Sequence, residues 1–313
     1  MKKSKILIIV FKGIGDVILT TPLIKALKTA NPENEIFFLT KKFAAPILKN
    51  NPNIKEILIR EEKTLIKILT SKFDISVDFM LSSSSGAYCL FSKAKERIAF
   101  YRPWNGIFYN RRVKKSFDGY NALERMEILK PLGLKPNDYY DIKPQIFLTE
   151  EEKKEAENIA ASLGANIGKI VTFDITSPRS YRQPSADFFI AMADKLSEIG
   201  YSCIFPPGPG EEEYVKKAVS KSGNKHFIAE KLSLRQLASI ISISSLHVGT
   251  SSAPMHMAVA FDKPTFTVYS PYTSPSSWGP GGERHAFFQK DLNSIKMEEI
   301  MLSFEKFLRK IGI

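Results

Sequence analysis

Cysteine and histidine are scarce in this chain of 313 residues, which has two cysteines and four histidines. Cys89 and Cys203 lie far apart and form no CxxC motif, so the sequence excludes a disulfide framework and a zinc knuckle. An HExxH motif is also missing, and four histidines are few for a dedicated transition-metal site. We therefore expect a protein without a metal centre.

The chain also lacks a long hydrophobic run. No apolar stretch reaches the roughly 18 residues that a membrane-spanning helix needs. The apolar run at residues 6–11 follows N-terminal lysines, as in a signal peptide, but Lys12 and Gly13 come after it in place of a small-residue cleavage site. The sequence therefore predicts a cytoplasmic protein with no transmembrane helix.

Positive charge is present in excess. The chain has 45 lysines and arginines against 33 acidic residues, a net charge of +12, while 43% of its residues are hydrophobic. The hydrophobic share is typical of a globular protein with true cores. The charge favours an anionic partner, which can be a nucleotide, a nucleic acid or an acidic membrane surface, and composition does not choose among them.

Short β-rich runs alternate with amphipathic segments along the chain, a pattern typical of βαβ units and parallel sheets. Strands are predicted at residues 6–10, 36–39, 54–59, 75–79 and 97–100, and, after a polar stretch with prolines, at residues 169–174, 202–205, 247–249 and 265–268. The fold class is therefore α/β, with two Rossmann-like, doubly wound parallel-sheet domains and a cleft between them. We place the domains at residues 1–150 and 151–296, and expect a C-terminal helix, 297–313, to pack back on the first domain.

Ligands of open parallel sheets bind beyond the carboxyl ends of the strands, so we expect the functional residues in the loops there. The first such loop holds Gly13, Gly15 and Asp16, and glycines permit a tight turn and close approach of a ligand. Position 18 is isoleucine, so the dinucleotide fingerprint is incomplete. Asp16 at a helix start stays ionised and can act as a general base toward a hydroxyl, or it can simply cap the helix. Pro22 predicts a kink in that helix.

Two further loops carry polar groups suited to a nucleotide. The loop after residue 174 combines the hydroxyls of Thr176 and Ser177 with Arg179 and Arg182. Arginine offers planar donors that match phosphate oxygens, although a basic chain also places arginines in ordinary surface loops. A Gly/Pro turn at residues 206–210 leads to three acids, Glu211, Glu212 and Glu213. They complement a helix dipole, and one of them can also accept hydrogen bonds from ribose hydroxyls.

The fourth loop follows the strand at 247–249. Three hydroxyl residues, Thr250, Ser251 and Ser252, precede a helix that opens at Ala253 with a proline near its first position. Exposed amides with flanking hydroxyls form an anion site suited to a diphosphate, and the same hydroxyls can also cap the helix. His256 either contacts a phosphate or is a packed residue of the helix.

These four loops, in this order, resemble glycosyltransferase family 9, the ADP-heptose:lipopolysaccharide heptosyltransferases and their relatives. The resemblance covers nearly the whole chain. The matching segments are residues 6–28 with Gly15-Asp16-Val17 and Thr21-Pro22, residues 73–78, residues 97–100, Pro254-Met255-His256-Met257-Ala258, residues 263–265, Tyr269-Ser270-Pro271 and Trp278-Gly279-Pro280. No single motif is unique to the family, but the ordered set is specific.

The resemblance implies a GT-B fold, with the acceptor on the N-terminal domain and the nucleotide sugar on the C-terminal one. It implies metal-independent transfer with inversion, no cofactor, ADP-heptose as donor and a lipopolysaccharide inner-core acceptor. Asp16 falls on the family's catalytic base, Glu211 on its ribose contact and Leu232 beside its adenine. The full set of donor-binding residues taken from the resemblance and the loops is Gly13, Thr176, Ser177, Arg179, Arg182, Glu211, Leu232, Thr250, Ser251, Ser252, Ala253 and His256.

Two departures from the family pattern concern the donor. Where heptosyltransferases usually have Asp-Ser/Thr-Gly, this chain has Ser251-Ser252-Ala253, so a carboxylate expected to hold sugar hydroxyls is missing. Where a Lys-Arg-Trp-Pro pattern is common, it has Tyr181-Arg182-Gln183-Pro184, which leaves Arg182 or Arg179 as the phosphate-neutralising cation. These departures leave the fold assignment unchanged and leave open which sugar is transferred.

A basic stretch in the first domain interleaves arginines with aromatic residues. Its arginines Arg97, Arg102, Arg111 and Arg112 are predicted to meet a lipid-linked anionic saccharide at the inner face of the cytoplasmic membrane. A solvated loop in a basic protein is the alternative. Two other function classes remain: a non-catalytic nucleotide-sugar-binding relative, suggested by Ser251, and a nucleic-acid-binding protein. The second has no recognisable motif, so we expect no nucleic-acid partner.

Overall fold

A computed structural model describes residues 2–177 and 179–313 of the chain. They form two compact units, one ending at Phe147 and one spanning Leu148–Ile313. The division falls close to the boundary expected after residue 150, directly after the polar stretch that contains Pro136 and Pro144. In the described part of the chain, no helix is both long enough and apolar enough to cross a bilayer.

The first unit is built on a parallel sheet of six strands, in the order β3-β2-β1-β4-β5-β6. The strands are β1 (Lys5–Val10), β2 (Glu35–Thr40), β3 (Glu56–Ile59), β4 (Ile75–Asp78), β5 (Glu96–Phe100) and β6 (Arg111–Val113). The helices are α1 (Ile14–Ile18), α2 (Thr21–Ala30), α3 (Glu62–Thr70), α4 (Ser83–Phe91) and α5 (Asn121–Glu124), and 3-10 turns cover Ala45–Leu48, Asn105–Ile107, Arg125–Leu132 and Pro136–Tyr139. Residues 6–10 of β1 are fully buried, as their continuous apolar run predicts for a central parallel strand.

Two local features differ from the sequence prediction. Strand β6 pairs with residues 98–100 of β5, but Arg111 and Arg112 are exposed, so this edge strand has no hydrophobic pattern to mark it. The kink expected at Pro22 is a break, because Pro22 stands in the first turn of α2 and α1 ends at Ile18. Proline is tolerated in a first turn because its missing N–H is not needed there.

The second unit repeats the plan of the first, in the order β12-β11-β10-β7-β8-β9. Its strands are β7 (Ile170–Asp174), β8 (Ser202–Phe205), β9 (Phe227–Ile228), β10 (Leu246–Thr250), β11 (Thr265–Tyr269) and β12 (His285–Gln289). Its helices are α6 (Glu150–Leu163), α7 (Ala186–Glu198), α8 (Glu212–Val219), α9 (Leu234–Ile243), α10 (Ala253–Ala260), α11 (Pro275–Trp278) and α12 (Met297–Ile311), with 3-10 turns at Ile167–Lys169, Ser180–Arg182 and Leu292–Ser294. The outer strands β9 and β12 were not predicted, because one has two residues and the other is half exposed.

Both sheets therefore have the strand order of a doubly wound Rossmann fold, which confirms the predicted α/β class with two doubly wound parallel sheets. In this topology the strand order reverses between β1 and β4 in the first unit and between β7 and β10 in the second. Ligands of such sheets bind beyond the carboxyl ends of the strands at that reversal. The residues that follow these four strands are therefore candidates for ligand binding.

Helix α12 packs on the second unit, whereas we expected it to pack back on the first domain. Its buried side chains Ile300, Phe304, Phe307 and Leu308 belong to the core of the second unit. They share one helical face, and the Phe304 ring meets the Phe266 ring of β11 edge-on, with centroids 5.1 Å apart. The helix therefore completes the second core.

We predict that Phe304→Ala destabilises the second unit by about 3–5 kcal/mol, because it removes a fully buried aromatic ring. Leu302→Ala on the same helix is the control, since Leu302 is 52% exposed and should change stability little. Urea denaturation of both variants measures the difference. Equal effects of the two substitutions would contradict this packing of α12.

Candidate functional site

Three loops of the second unit meet at Asp174, the last residue of β7. Ser252, which follows β10, donates its hydroxyl to Oδ2 of Asp174, and the Thr176 hydroxyl lies 3.4 Å from Oδ1. Gly249 of β10 makes this contact possible, because a Cβ there would lie 2.6 Å from the carbonyl oxygen of Asp174. The absence of a side chain at Gly249 thus lets the β10 loop close on Asp174, at the point where the strand order reverses.

Thr176 extends this network to the loop after β8. Its hydroxyl donates to Oε2 of Glu211 at 2.6 Å, and the Gly208 amide donates to the same oxygen at 2.8 Å. Thr250 donates its hydroxyl to the Thr176 carbonyl oxygen at 2.7 Å. The predicted donor residues Thr176, Glu211, Thr250 and Ser252 are therefore brought together by one set of hydrogen bonds.

Asp174 is the residue of this network that sequence reasoning did not single out. It is 8% exposed, and burial raises its pKa to about 6. The hydrogen bond from Ser252 opposes the rise, and the negative charge of Glu211 adds to it. A signal was present in the sequence, because Asp174 is an acid at the carboxyl end of a strand that begins a domain.

The start of α10 keeps its amide groups for other partners. Ser252 is the residue before the helix, and in the described part of the chain its side chain caps no amide of α10, while its hydroxyl donates to Asp174. Uncapped amides at a helix start bind anions well. The capping alternative is thus wrong for Ser252, and Ala253 begins the helix beside it.

The loop after β7 folds back on itself and carries both predicted arginines. The Ser177 amide donates to Oε1 of Gln183 at 3.1 Å, which closes the loop. Arg179 donates from Nη1 to the Tyr181 hydroxyl at 3.1 Å, and the Arg182 guanidinium lies 5.5 Å from the centre of the Tyr181 ring. Both guanidinium groups therefore gather around one aromatic side chain.

The remaining predicted donor residues have varied surroundings. His256 is 3% exposed and packs with its ring 6.0 Å from the Trp278 ring, and its contact with a phosphate stays a prediction. Leu232 is half-buried against the cluster that contains Ile204 and Phe227, next to β8 and β9. Ser251 is half-buried in the turn between β10 and α10.

In the first unit, Asp16 lies in the first turn of α1 but does not cap it. Gly13 precedes the helix in an extended conformation, is exposed, and has open space where a Cβ would stand. The turn therefore does not require glycine for its backbone, although Gly13 leaves room beside Asp16. Oδ1 of Asp16 accepts a hydrogen bond from Nη2 of Arg125 at 2.6 Å.

Arg125 is a residue that the sequence analysis missed. Its Nη1 donates to the Asp16 carbonyl oxygen at 2.5 Å and to the Thr20 hydroxyl, and its guanidinium lies 5.2 Å from the centre of the Phe79 ring. Its side chain is only 7% exposed, and burial lowers the pKa of Arg125 while the charge of Asp16 opposes that change. Nothing in the sequence connects two residues 109 positions apart.

Arg125 binds one carboxylate oxygen of Asp16 and leaves the other oxygen accessible to a ligand. Among residues 2–177 and 179–313, no hydrogen-bond partner contacts Oδ2 of Asp16. The Asp16 side chain is 16% exposed, so solvent or a ligand can reach it. The site therefore presents an oriented carboxylate oxygen beside a buried positive charge.

Exposed cations lie at the carboxyl edge of the first sheet, the edge at which Asp16 follows β1. They follow five of its six strands: Lys12 after β1, Lys41 and Lys42 after β2, Arg60 after β3, Arg102 after β5, and Lys114 after β6. Because parallel strands end at one edge, these charges share that edge. Such a basic rim attracts an anionic ligand to this edge of the sheet.

The predicted patch of four arginines is divided in the structure. Arg97 donates to the carbonyl oxygens of Phe108 and Ala94 at 2.9 and 3.1 Å, and Arg111 pairs with Glu96 at 2.6 Å. These contacts hold both arginines against strands β5 and β6, and their role toward an acceptor or a membrane stays a prediction. Arg102, Arg111 and Arg112 are exposed, and Arg97 is half-buried.

For metal binding, the described residues offer no group of three or more His, Cys, Asp or Glu side chains close enough to hold an ion. The acidic side chains that do approach one another are Asp174 and Glu211, which share Thr176. Whether transfer proceeds without a metal stays a prediction.

The Asp174 carboxyl predicts a specific dependence of stability on pH. Its pKa rises from the ordinary 3.8 to about 6 on folding, so its contribution to stability is complete below pH 3.8 and is lost as the pH rises to about 6. The free energy of unfolding of Asp174→Asn should therefore rise by roughly 3 kcal/mol relative to that of the wild type as the pH increases across that interval. Burial also lowers the pKa of His247 to about 3, but this affects both proteins equally. Unfolding free energies from pH 3.5 to 8 measure the difference, and parallel curves would contradict it.

Comparison with known proteins identifies the family of this chain. The model of glycosyltransferase family 9 (heptosyltransferase) matches residues 63–307. Lipopolysaccharide heptosyltransferase 3 of Escherichia coli K12 is 25% identical, over 94% of this chain and 95% of that protein. The family 9 glycosyl transferase of Veillonella parvula DSM 2008 is similar in structure, with a TM-score of 0.85 at 21% identity, over 98% of this chain and 97% of that one. ADP-heptose lps heptosyltransferase II of E. coli has a TM-score of 0.82 at 17% identity, over 99% of this chain and 100% of that one. These structures share the two doubly wound sheets of the GT-B fold. The chain belongs to glycosyltransferase family 9 and is a glycosyltransferase.

Proposed function

We propose that this enzyme transfers a heptose or a related sugar from an ADP-sugar to a lipopolysaccharide inner-core acceptor, with inversion and without a metal ion. Relatives named for heptosyl transfer to lipopolysaccharide support the substrate classes. The observation that carries the chemistry is Asp16, with one oxygen held by Arg125 and the other available within a basic rim.

In the proposed donor site, the diphosphate lies at the start of α10. The uncapped amides there and the guanidinium groups of Arg179 and Arg182 neutralise the charge that develops on the leaving ADP. Oε2 of Glu211 is bonded to Thr176 and Gly208, so Oε1 remains to accept hydrogen bonds from ribose hydroxyls. Thr176 and Thr250 hold the loops of this site together.

In the proposed acceptor site, the exposed cations of the first unit bind an anionic saccharide beside Asp16. Electrostatic attraction of this kind raises the local concentration of a phosphorylated or carboxylated acceptor. Arg102 and Arg112, of the arginines predicted from sequence, remain available for it.

The proposed reaction is a single in-line displacement. Oδ2 of Asp16 takes the proton of an acceptor hydroxyl while the hydroxyl oxygen forms a bond to the anomeric carbon. The bond from that carbon to the diphosphate breaks on the opposite side, and its electron pair leaves with ADP. Attack opposite to the leaving group inverts the anomeric centre. Arg125 keeps Asp16 oriented through Oδ1 and through its carbonyl oxygen.

We predict that Asp16→Asn lowers the transfer rate by about 10²–10⁴-fold, the usual contribution of a general base. ADP affinity should stay within about twofold, because ADP binds residues of the second unit. Single-turnover transfer assays and calorimetry with ADP measure the two quantities.

Thr70→Ala is a suitable control, since the Thr70 hydroxyl is exposed at the end of α3 and bonds only its own helix. A wild-type protein that binds ADP-heptose yet transfers nothing would favour the non-catalytic relative. An Asp16→Asn enzyme with full activity would contradict Asp16 as the base.

The membrane contact in this proposal rests on the loop between β5 and β6. Its side chains Tyr101, Trp104 and Ile107 are 42%, 51% and 72% exposed, and Arg102 and Arg112 stand beside them. The Arg112 guanidinium lies 5.2 Å from the centre of the Tyr101 ring. Exposed apolar residues flanked by cations are suited to an anionic bilayer surface, where a lipid-linked acceptor resides.

We predict that the double variant Trp104→Ala/Ile107→Ala weakens binding to vesicles rich in phosphatidylglycerol by at least about tenfold, because two inserted apolar side chains are lost. Ile66→Ala is the matched control, since Ile66 is 66% exposed on α3 and lies outside this loop. Vesicle co-sedimentation at low salt measures binding. Unchanged binding of the double variant would exclude this loop as the membrane contact.

A further inference from the structure

Two exposed tyrosines contact each other at the carboxyl edge of the second sheet. Tyr181 is 50% exposed in the turn Ser180–Arg182, and Tyr272 is 68% exposed in the loop after β11. Their rings meet edge to face, with centroids 5.5 Å apart and planes at 80°. Half of Tyr181 and about two thirds of Tyr272 are nevertheless open to solvent, so burial in the core does not account for their presence.

The strand order places this pair relative to the donor site. Strand β10 lies between β7 and β11, so the contact between Tyr181 and Tyr272 spans the end of β10, where Ser252 stands. In the proposed donor site the ribose lies at Glu211, after β8, and the diphosphate at the start of α10, after β10. Continuing along the edge in the same direction leads to the loop after β11. A donor that runs along this edge from β8 to β10 and onward would bring its sugar to the pair.

The surroundings of the pair indicate an anionic ligand. The hydrogen bond from Arg179 and the charges of both arginines lower the pKa of the exposed Tyr181 phenol. In the described part of the chain, Nε of Arg182 is buried and has no hydrogen-bond partner. A buried donor of this kind is normally satisfied, and a phosphate oxygen beside the tyrosines would satisfy it.

The pair also offers a different kind of sugar recognition. Position 251 is a serine, so a carboxylate that would hold sugar hydroxyls is not supplied there. An aromatic ring instead binds the apolar C–H face of a sugar ring by dispersion and hydrophobic contact. Such contact depends on the shape of the ring more than on each hydroxyl.

We propose that Tyr272, supported by Tyr181, is the stacking surface for the transferred sugar of the nucleotide-sugar donor, with Nε of Arg182 bonded to its diphosphate. This inference rests on the donor site described under Proposed function. It assigns sugar specificity to two loops, those after β7 and β11, and to aromatic side chains.

Calorimetric titration with ADP and with ADP-heptose tests the proposal. Tyr272→Ala should weaken ADP-heptose binding about five- to tenfold and leave ADP binding within twofold, because ADP lacks the sugar. Tyr272→Phe should bind both ligands as the wild type does, since the ring face is kept. Phe287→Ala is the matched control, because Phe287 is 57% exposed and also meets a tyrosine, Tyr269, edge-on.

Each outcome bears on the proposal. Equal weakening of both ligands by Tyr272→Ala, or no weakening of either, would overturn it while leaving the donor site intact. A wild-type protein that binds ADP but gains no affinity from the heptose would also overturn it. If the wild type bound neither ligand, the donor assigned under Proposed function would fail first, and the stacking surface with it.

Discussion

The ion pair between Arg125 and Asp16 is the interaction on which the account of this enzyme depends. A guanidinium that is 7% exposed needs a counter-charge, and loss of one partner of such a pair typically costs about 3–5 kcal/mol. Stability therefore requires an oriented carboxylate at the point where a ligand of the first sheet would bind. The stability of the first unit and the proposed reaction both require the carboxylate of Asp16. The basic rim at the same edge of the sheet attracts an anionic acceptor.

The second unit uses a carboxylate in another way. Asp174 accepts a hydrogen bond from the Ser252 hydroxyl, and the Ser252 side chain caps no amide of α10 in the described part of the chain. The amides at the start of that helix are then available to a diphosphate. One buried acid thus joins the loops after β7 and β10, while Thr176 links them to Glu211. The aromatic pair beyond β10 extends the same edge toward the sugar.

Sequence patterns predicted those parts of the fold that depend on local periodicity. The continuous apolar run at 6–10 indicated a central parallel strand, which is fully buried, and polar loops after strands predicted where ligands bind. Strand β6 escaped prediction because Arg111 and Arg112 face solvent, and Arg125 because its partner is distant in sequence. Periodicity showed that α12 has an apolar face, but it does not determine which of the two cores that face packs against.

The most direct test of the central claim is a double-mutant cycle of Asp16→Asn and Arg125→Met, with single-turnover transfer rates measured for all four proteins while folded. If Arg125 acts only by holding the base, adding Arg125→Met to Asp16→Asn causes no further loss of rate. The double variant should also be more stable than Asp16→Asn alone, because no buried charge is left unpaired. Independent, multiplicative losses, or an Arg125→Met enzyme with the wild-type rate, would contradict the account.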